Sequence, residues 1–522
     1  RSVVVIGKAT QVYAQQAVAG GVIVGRPMGS GGGSSDVVPN YTVSPVDGLK
    51  SVLSALGNTA ATVTLITVKD DNSDLNAAKA AAAAADAVVI MAGTIAEEGA
   101  DRASFTDSTG LTLTALGDGL DWYVARPNTI STVTSNSPAN SNTVAMIAGI
   151  LGATSITAKP MTAKTALVLK DNAGVAMDPV LLGPGGPAIL EVWFPGQEDG
   201  HIVADLLFGV VNPSGKLPVT FPKVGQGFLD WVRTDPSVFP GVRNLAGQPE
   251  VQYKEGLNIG YRWYDANGVT PAFPFGHGLS YTTFSMSNLS VTPKISDGTQ
   301  PISIQFFLAN TGTRAGAEAP QLYLGLPSQI GEPPKRLVAF SKVQLNPGER
   351  TSVQLTIDPA ATNHPLSYWD VNTNNWKIAP GFYPIFVGSS SKDIALFGTA
   401  LVGPRTSALE HGPGDNAMPL GWRNFFLDRL SAANGVCSAT RGQRSRPTGS
   451  ANSGRRRQGH EYATALRCTT VEVSPVWLSR ALPRKQCGTR CRKPALRRDE
   501  AKSKGASSAC HVHQRFSILV YI

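Results

Sequence analysis

Apolar residues in the first 225 positions fall into short runs bounded by polar or glycine-rich stretches. Ser2–Ile6, Val63–Val68, Ala87–Ala92, Thr165–Leu169 and Ala188–Phe194 have the length of buried strands. Between them, the alanine-rich run Asp74–Ala85 and the segment Asp199–Phe208 predict helices. Strands alternating with helices predict an α/β fold, a largely parallel sheet with helices on both faces. Arg126–Lys164 is rich in Ser, Thr, Asn and Ala, has weak periodicity, and reads as an insertion or irregular loop.

The pattern changes twice further on. Residues 226–285 are dense in aromatics, glycine and proline and read as an extended connector packed on its neighbours. From 286 to 402, alternating segments such as Ile302–Leu308, Ala319–Leu324, Ser352–Ile357 and Phe382–Val387 are separated by turns such as Asn346-Pro347-Gly348. That is the pattern of an antiparallel β-sandwich. The expected division is therefore 1–225, 226–285, 286–402 and a tail over 403–522.

Charge isolates that tail. The formal net charge of +9 conceals 21 Lys and Arg against 7 Asp and Glu from Gly403 to Ile522, a local balance of +14. The preceding residues carry −5, and all five cysteines (Cys437, Cys468, Cys487, Cys491, Cys510) lie in the tail. Low hydrophobicity and high charge predict a disordered or artefactual extension. Nothing resembling a nucleic-acid module accompanies its arginines, so no specific nucleic-acid partner is expected. The tail's Cys and His spacings lack a second well-formed pair, so no metal site is expected. No run of 18 apolar residues predicts a membrane span. The chain opens on a strand already under way, without an initiator Met or signal peptide, and reads as truncated there.

Candidate chemistry sits directly after the third apolar run. Residues 94–102 read Thr-Ile-Ala-Glu-Glu-Gly-Ala-Asp-Arg, and open parallel sheets bind ligands at the carboxyl ends of their strands. Glu97, Glu98 and Asp101 beside Arg102 can hold one carboxyl neutral and another charged, as acid/base chemistry needs. A solvated acidic loop has the same composition. Nucleotide-binding patterns fail: no Gly-x-Gly-x-x-Gly follows the first strand, and Gly7-Lys8 lacks the upstream glycine of a phosphate-binding loop. No serine-hydrolase elbow or His-Glu-x-x-His pattern appears. Pro195–Gly200 makes a strand-to-helix turn with Glu198 and Asp199 suited to the first helical turn. The prolines of Asn212–Pro222 fit a rigid loop. The aromatics of Tyr253–Tyr281 suit packing of the connector or stacking on sugar rings, and His277 reads as a hydrogen-bonded structural residue.

In order, VVIMAG…EEGADR (88–102), AILEVWFPGQEDG (188–200), NPSGKLPVTFPK (212–223), GYRWYD (260–265) and PFGHGLSYTTF (274–284) resemble the C-terminal portion of glycoside hydrolase family 3. NTGTRAGAEAPQLYL (310–324) and GFYPIFVGSSS (381–391) resemble the fibronectin type III-like domain that ends many members. The resemblance implies an α/β sandwich followed by a fibronectin type III-like β-sandwich, in a retaining β-glucosidase-type enzyme acting on terminal β-linked sugars without a cofactor. It implies an acid/base Glu on the 94–102 loop, with Glu97 favoured slightly over Glu98. Asp101 and Arg102 match an Asp-Arg pair expected to order the loop. The nucleophilic Asp would lie on a (β/α)8 barrel preceding this portion, so residues 1–522 alone are expected to be inactive. Its substrate would be an oligosaccharide or β-glycoside in a secreted, periplasmic or cell-wall setting. The rival reading is a non-catalytic carbohydrate-binding or scaffold protein.

Overall fold

The computed structural model describes residues 1–8, 40–69, 71–93, 143–171, 174–223, 225–228, 231, 234–235, 237–238, 241–403 and 519–521. Five strands, β1 (Ser2–Lys8), β2 (Thr62–Val68), β3 (Ala87–Gly93), β4 (Thr165–Lys170) and β5 (Ala188–Glu191), form a parallel sheet in the order β2-β1-β3-β4-β5. Every residue of β3 is buried, as a strand covered on both faces requires. β2 lies at the edge and alternates between exposed and partly covered positions.

Helices cover both faces. On one, α1 (Pro45–Ala55) and α5 (Asp199–Leu207) pack over Val3, Val5, Val89 and Val168. On the other, α2 (Leu75–Ala84) and α3 (Thr143–Leu151) pack over Val4, Ile6, Val88 and Ile90. The sequence signal for α1 is local. Ser44 caps it by accepting from the Asp47 N–H at 3.1 Å, Pro45 opens its first turn, and Leu49, Val52 and Leu53 form its buried stripe. α1 and α5 cross where neither has a side chain: a Cβ on Gly48 would lie 2.0 Å from the backbone of Gly200.

Two expectations need correction. The second half of Arg126–Lys164 is not irregular: Met146, Ile147 and Ile150 bury one side of α3, and α4 (Met161–Lys164) leads into β4. The fifth strand also ends three residues earlier than its apolar run, at Glu191. Trp193 adopts φ 53°, a left-handed conformation that turns the chain off the sheet whatever its hydrophobicity. At the opposite edge of that strand, residues Leu519–Tyr521 pair antiparallel with β5. Residues 404–518 and 522 of the tail lie outside the described residues.

A β-sandwich follows the connector. One sheet holds strands Phe284–Thr292, Ile302–Asn310 and Arg350–Ile357. The other is built on strands Gln321–Leu324, Gly381–Gly388 and Ile394–Val402. Alternate residues of Ile302–Asn310 and Arg350–Ile357 point inward and meet Leu322, Leu324, Ile385 and Val387.

The proline- and glycine-rich motifs join this sandwich to the α/β part. The Asn212 side chain donates to Ala315 O at 2.9 Å and accepts from the Ser280 hydroxyl and the Tyr281 N–H at 2.9 and 2.8 Å. Lys216 pairs with Glu318 at 2.7 Å and donates to Gly278 O at 2.9 Å. Buried Asp265, on the short helix Tyr261–Ala266, pairs with Lys335 and, at 2.7 Å, with Lys392. No helix among the described residues is long and apolar enough to cross a membrane.

Candidate functional site

In the order β2-β1-β3-β4-β5, the chain steps outward from β1 to β2 and then returns past β1 to β3. β1 and β3 are therefore neighbours, with Ile6 in register with Ile90. Such a switch point opens a crevice at the carboxyl ends of the strands, the usual ligand position in open parallel sheets. β3 ends here at Gly93, in register with Lys170 of β4. The candidates Glu97, Glu98, Asp101 and Arg102 lie outside the described residues.

The described carboxyl ends carry a group of ionisable residues that sequence reading did not bring together. Lys8, Lys170, Asp171, Glu191 and Asp199 are each 0% exposed. The signal was the placement of charged residues at the close of apolar runs, as in Thr165–Lys170 followed by Asp171. Lys170 forms a buried ion pair with Asp199, the first residue of α5. Burial pushes the Lys170 ammonium below its ordinary value, and the Asp199 carboxylate opposes that shift. Lys8 donates to Lys69 O at 3.1 Å and to the Asn72 side chain.

Glu191 and Asp171 form the second pair. Burial raises the Glu191 carboxyl well above its usual range, and the adjacent Asp171 charge and hydrogen bond raise it further. Its Oε1 accepts from the Trp193 N–H at 2.9 Å, tying the carboxyl to the left-handed turn that ends β5. These groups lie buried at the carboxyl end of the sheet.

The Pro195–Gly200 turn separates two roles. Asp199 points inward to Lys170, while Glu198 faces outward, accepts from the Tyr41 hydroxyl and lies 2.8 Å from His201 Nδ1. His277 is structural in setting: its carbonyl accepts from Leu217 N at 2.8 Å, and its ring stacks on Phe273 at 5.6 Å. Connector aromatics also pack: Trp263 and Tyr264 are buried, and Tyr261 stacks on Phe275. Among the described residues, no three His, Cys, Asp or Glu side chains are grouped to hold a metal ion.

Comparison with known proteins agrees with this architecture. The sequence model of the glycosyl hydrolase family 3 C-terminal domain matches residues 1–281, and that of the fibronectin type III-like domain matches residues 318–391. Thermostable beta-glucosidase B of Acetivibrio thermocellus is 41% identical over 212 residues, covering 40% of this chain and 26% of the relative. Probable beta-glucosidase L of Emericella nidulans is 32% identical over 397 residues, covering 72% of this chain and 46% of the relative. The crystal structure of beta-D-glucoside glucohydrolase from Trichoderma reesei superposes with a TM-score of 0.55 at 25% identity, covering 77% of this chain and 51% of that one. Beta-glucosidase 3B from Thermotoga neapolitana, solved with alpha-D-glucose, gives 0.52 at 27% identity, covering 77% and 50%. The chain thus spans from 26% to 51% of the length of these relatives.

Proposed function

This chain belongs to glycosyl hydrolase family 3, and we propose that it carries the acid/base part of a retaining glycosidase that removes terminal β-linked glucose from oligosaccharides or glycosides. One observation carries the reading. β3 ends at Gly93 beside the switch point of the sheet, and Glu97 follows four residues later.

In the proposed chemistry, Glu97 protonates the glycosidic oxygen as the bond to the departing group breaks. It then takes a proton from the water that releases the sugar. Glu98 is the alternate holder of that role. Asp101 and Arg102 pair to order the loop. The nucleophilic carboxylate comes from an Asp on the barrel that the family resemblance implies, so residues 1–522 expressed alone turn over substrate only at background rate. We divide the chain functionally as 1–225, 226–285, 286–402 and 403–522, with the first part bearing the chemistry, and assign the protein to a secreted, periplasmic or cell-wall setting.

The test uses the gene product at its natural length, incubated with cellobiose and with an aryl β-D-glucoside. Release of β-glucose, followed by NMR before mutarotation, supports the reading. Absence of hydrolysis of any β-glucoside, or first release of α-glucose, overturns it. Robust turnover by residues 1–522 alone refutes the two-part assignment.

A further inference from the structure

A cavity of about 400 Å³ lies against the connector. That volume falls at the lower end of small-molecule sites. Its walls include the rings of Phe228, Tyr261, Tyr264 and Phe275, with Ile259 at the rim and Arg262 as the charged group. Gly260 shapes it: with φ 57°, it turns the chain so that Ile259, Tyr261 and Arg262 all line the same space.

Each tyrosine hydroxyl accepts one backbone N–H. The Tyr261 hydroxyl accepts from the Leu337 N–H at 2.8 Å, and its ring stacks on Phe275 at 4.8 Å with an interplanar angle of 26°. The Tyr264 hydroxyl accepts from the Phe228 N–H at 3.3 Å. With Pro218, Val219 and Pro222 beside the rings, carbon makes up most of the lining. Arg262 has no side-chain hydrogen bond or ion pair among the described residues. Asp265, one helical turn on, is committed to Lys335 and Lys392. Arg336, which senses Arg262 as a like charge and Glu332 as an opposite one, spends its own guanidinium on the carbonyls of His364, Pro365 and Ser367.

We propose that this cavity binds a planar aromatic carboxylate, with its ring between the aromatic walls and its carboxylate on Arg262. A guanidinium matches a carboxylate with two parallel hydrogen bonds, and flat rings are met by offset stacking or edge contacts. A phosphate would meet one cation and few other donors. The proposal is independent of the glycosidase reading.

Titration of 4-hydroxycinnamate into the full chain by calorimetry tests it, with the methyl ester and cyclohexanecarboxylate as comparison ligands. Saturable binding of the acid is expected, weakened about tenfold or more by esterification, by loss of planarity and by Arg262→Met. Ile259→Trp, a change at the exposed rim that leaves the charge in place, blocks the cavity and abolishes binding. Circular dichroism confirms that each variant is folded, and Ile259→Trp decides if Arg262→Met is not. No saturable binding to the parent protein, equal affinity for acid and ester, or binding indifferent to Ile259→Trp overturns the proposal.

Discussion

Lys170 and Asp199, 29 residues apart in sequence, form an ion pair in which neither side chain is exposed. It ties the end of β4 to the first turn of α5, beside the point where β3 ends at Gly93. Removing one charge strands the other in the interior. Asp199→Asn is therefore expected to cost about 3–5 kcal/mol in denaturant unfolding. Replacing both with apolar residues, Lys170→Met with Asp199→Leu, should return stability to the parent value or above it. A double variant as unstable as the single one would mean that the pair's attraction outweighs its desolvation.

Glu191 gives the sheet a pH dependence of unusual sign for a carboxylate. Burial, with the Asp171 charge next, places its folded pKa above the ordinary 4.5. The folded state then binds the proton more tightly than the unfolded state. Its stabilising contribution is complete below about 4.5 and is lost as pH rises through the raised folded value. Thermal unfolding followed from about pH 4 to 8 should show this decline, and Glu191→Gln should flatten it. An unchanged slope in that variant rules out Glu191 as the source.

The crossing of α1 and α5 depends on the absence of side chains. Gly48→Ala would put a Cβ 2.0 Å from Gly200 C and O, so the helices must separate. A loss of roughly 1–3 kcal/mol is expected, as for other overpacked interiors. Gly185→Ala, where an added Cβ meets nothing within 4 Å, should stay within about 0.5 kcal/mol of the parent. Comparing the two unfolding midpoints checks the argument.

The proposed proton donor has its own kinetic signature in the natural-length gene product. Glu97→Gln should lower kcat on cellobiose by about 10²–10⁴-fold. It should barely affect kcat/KM for a 2,4-dinitrophenyl glucoside, whose leaving group needs no proton, while kcat on that substrate falls because water then releases the sugar without its base. Glu98→Gln should change both much less. The reverse ranking moves the role to Glu98, and no leaving-group dependence in either variant removes both.

Much of the layout was legible in the chain because periodicity reports burial. The runs at Val63–Val68 and Ala87–Ala92 became parallel strands, and the alternation of Ile302–Leu308 became a sandwich strand with one face inward. The motif order 188–200, 212–223 and 274–284 carries the family resemblance in the sequence. Local composition misled where tertiary contacts decide. The apolar Trp193 leaves the sheet through its left-handed backbone, and the stretch after Thr143 becomes helical because the face beside α2 buries Met146, Ile147 and Ile150.

The spacing of apolar residues, a one-dimensional property, sets the class of the α/β and β-sandwich regions. The sequence also places Glu97 and Glu98 directly after a buried strand. That this strand lies beside β1 at the switch point, that Lys170 meets Asp199 and that Glu191 meets Asp171 follows from the folded chain alone. Pairings between residues far apart in sequence follow from strand order and close packing, and neither leaves a local trace in the chain.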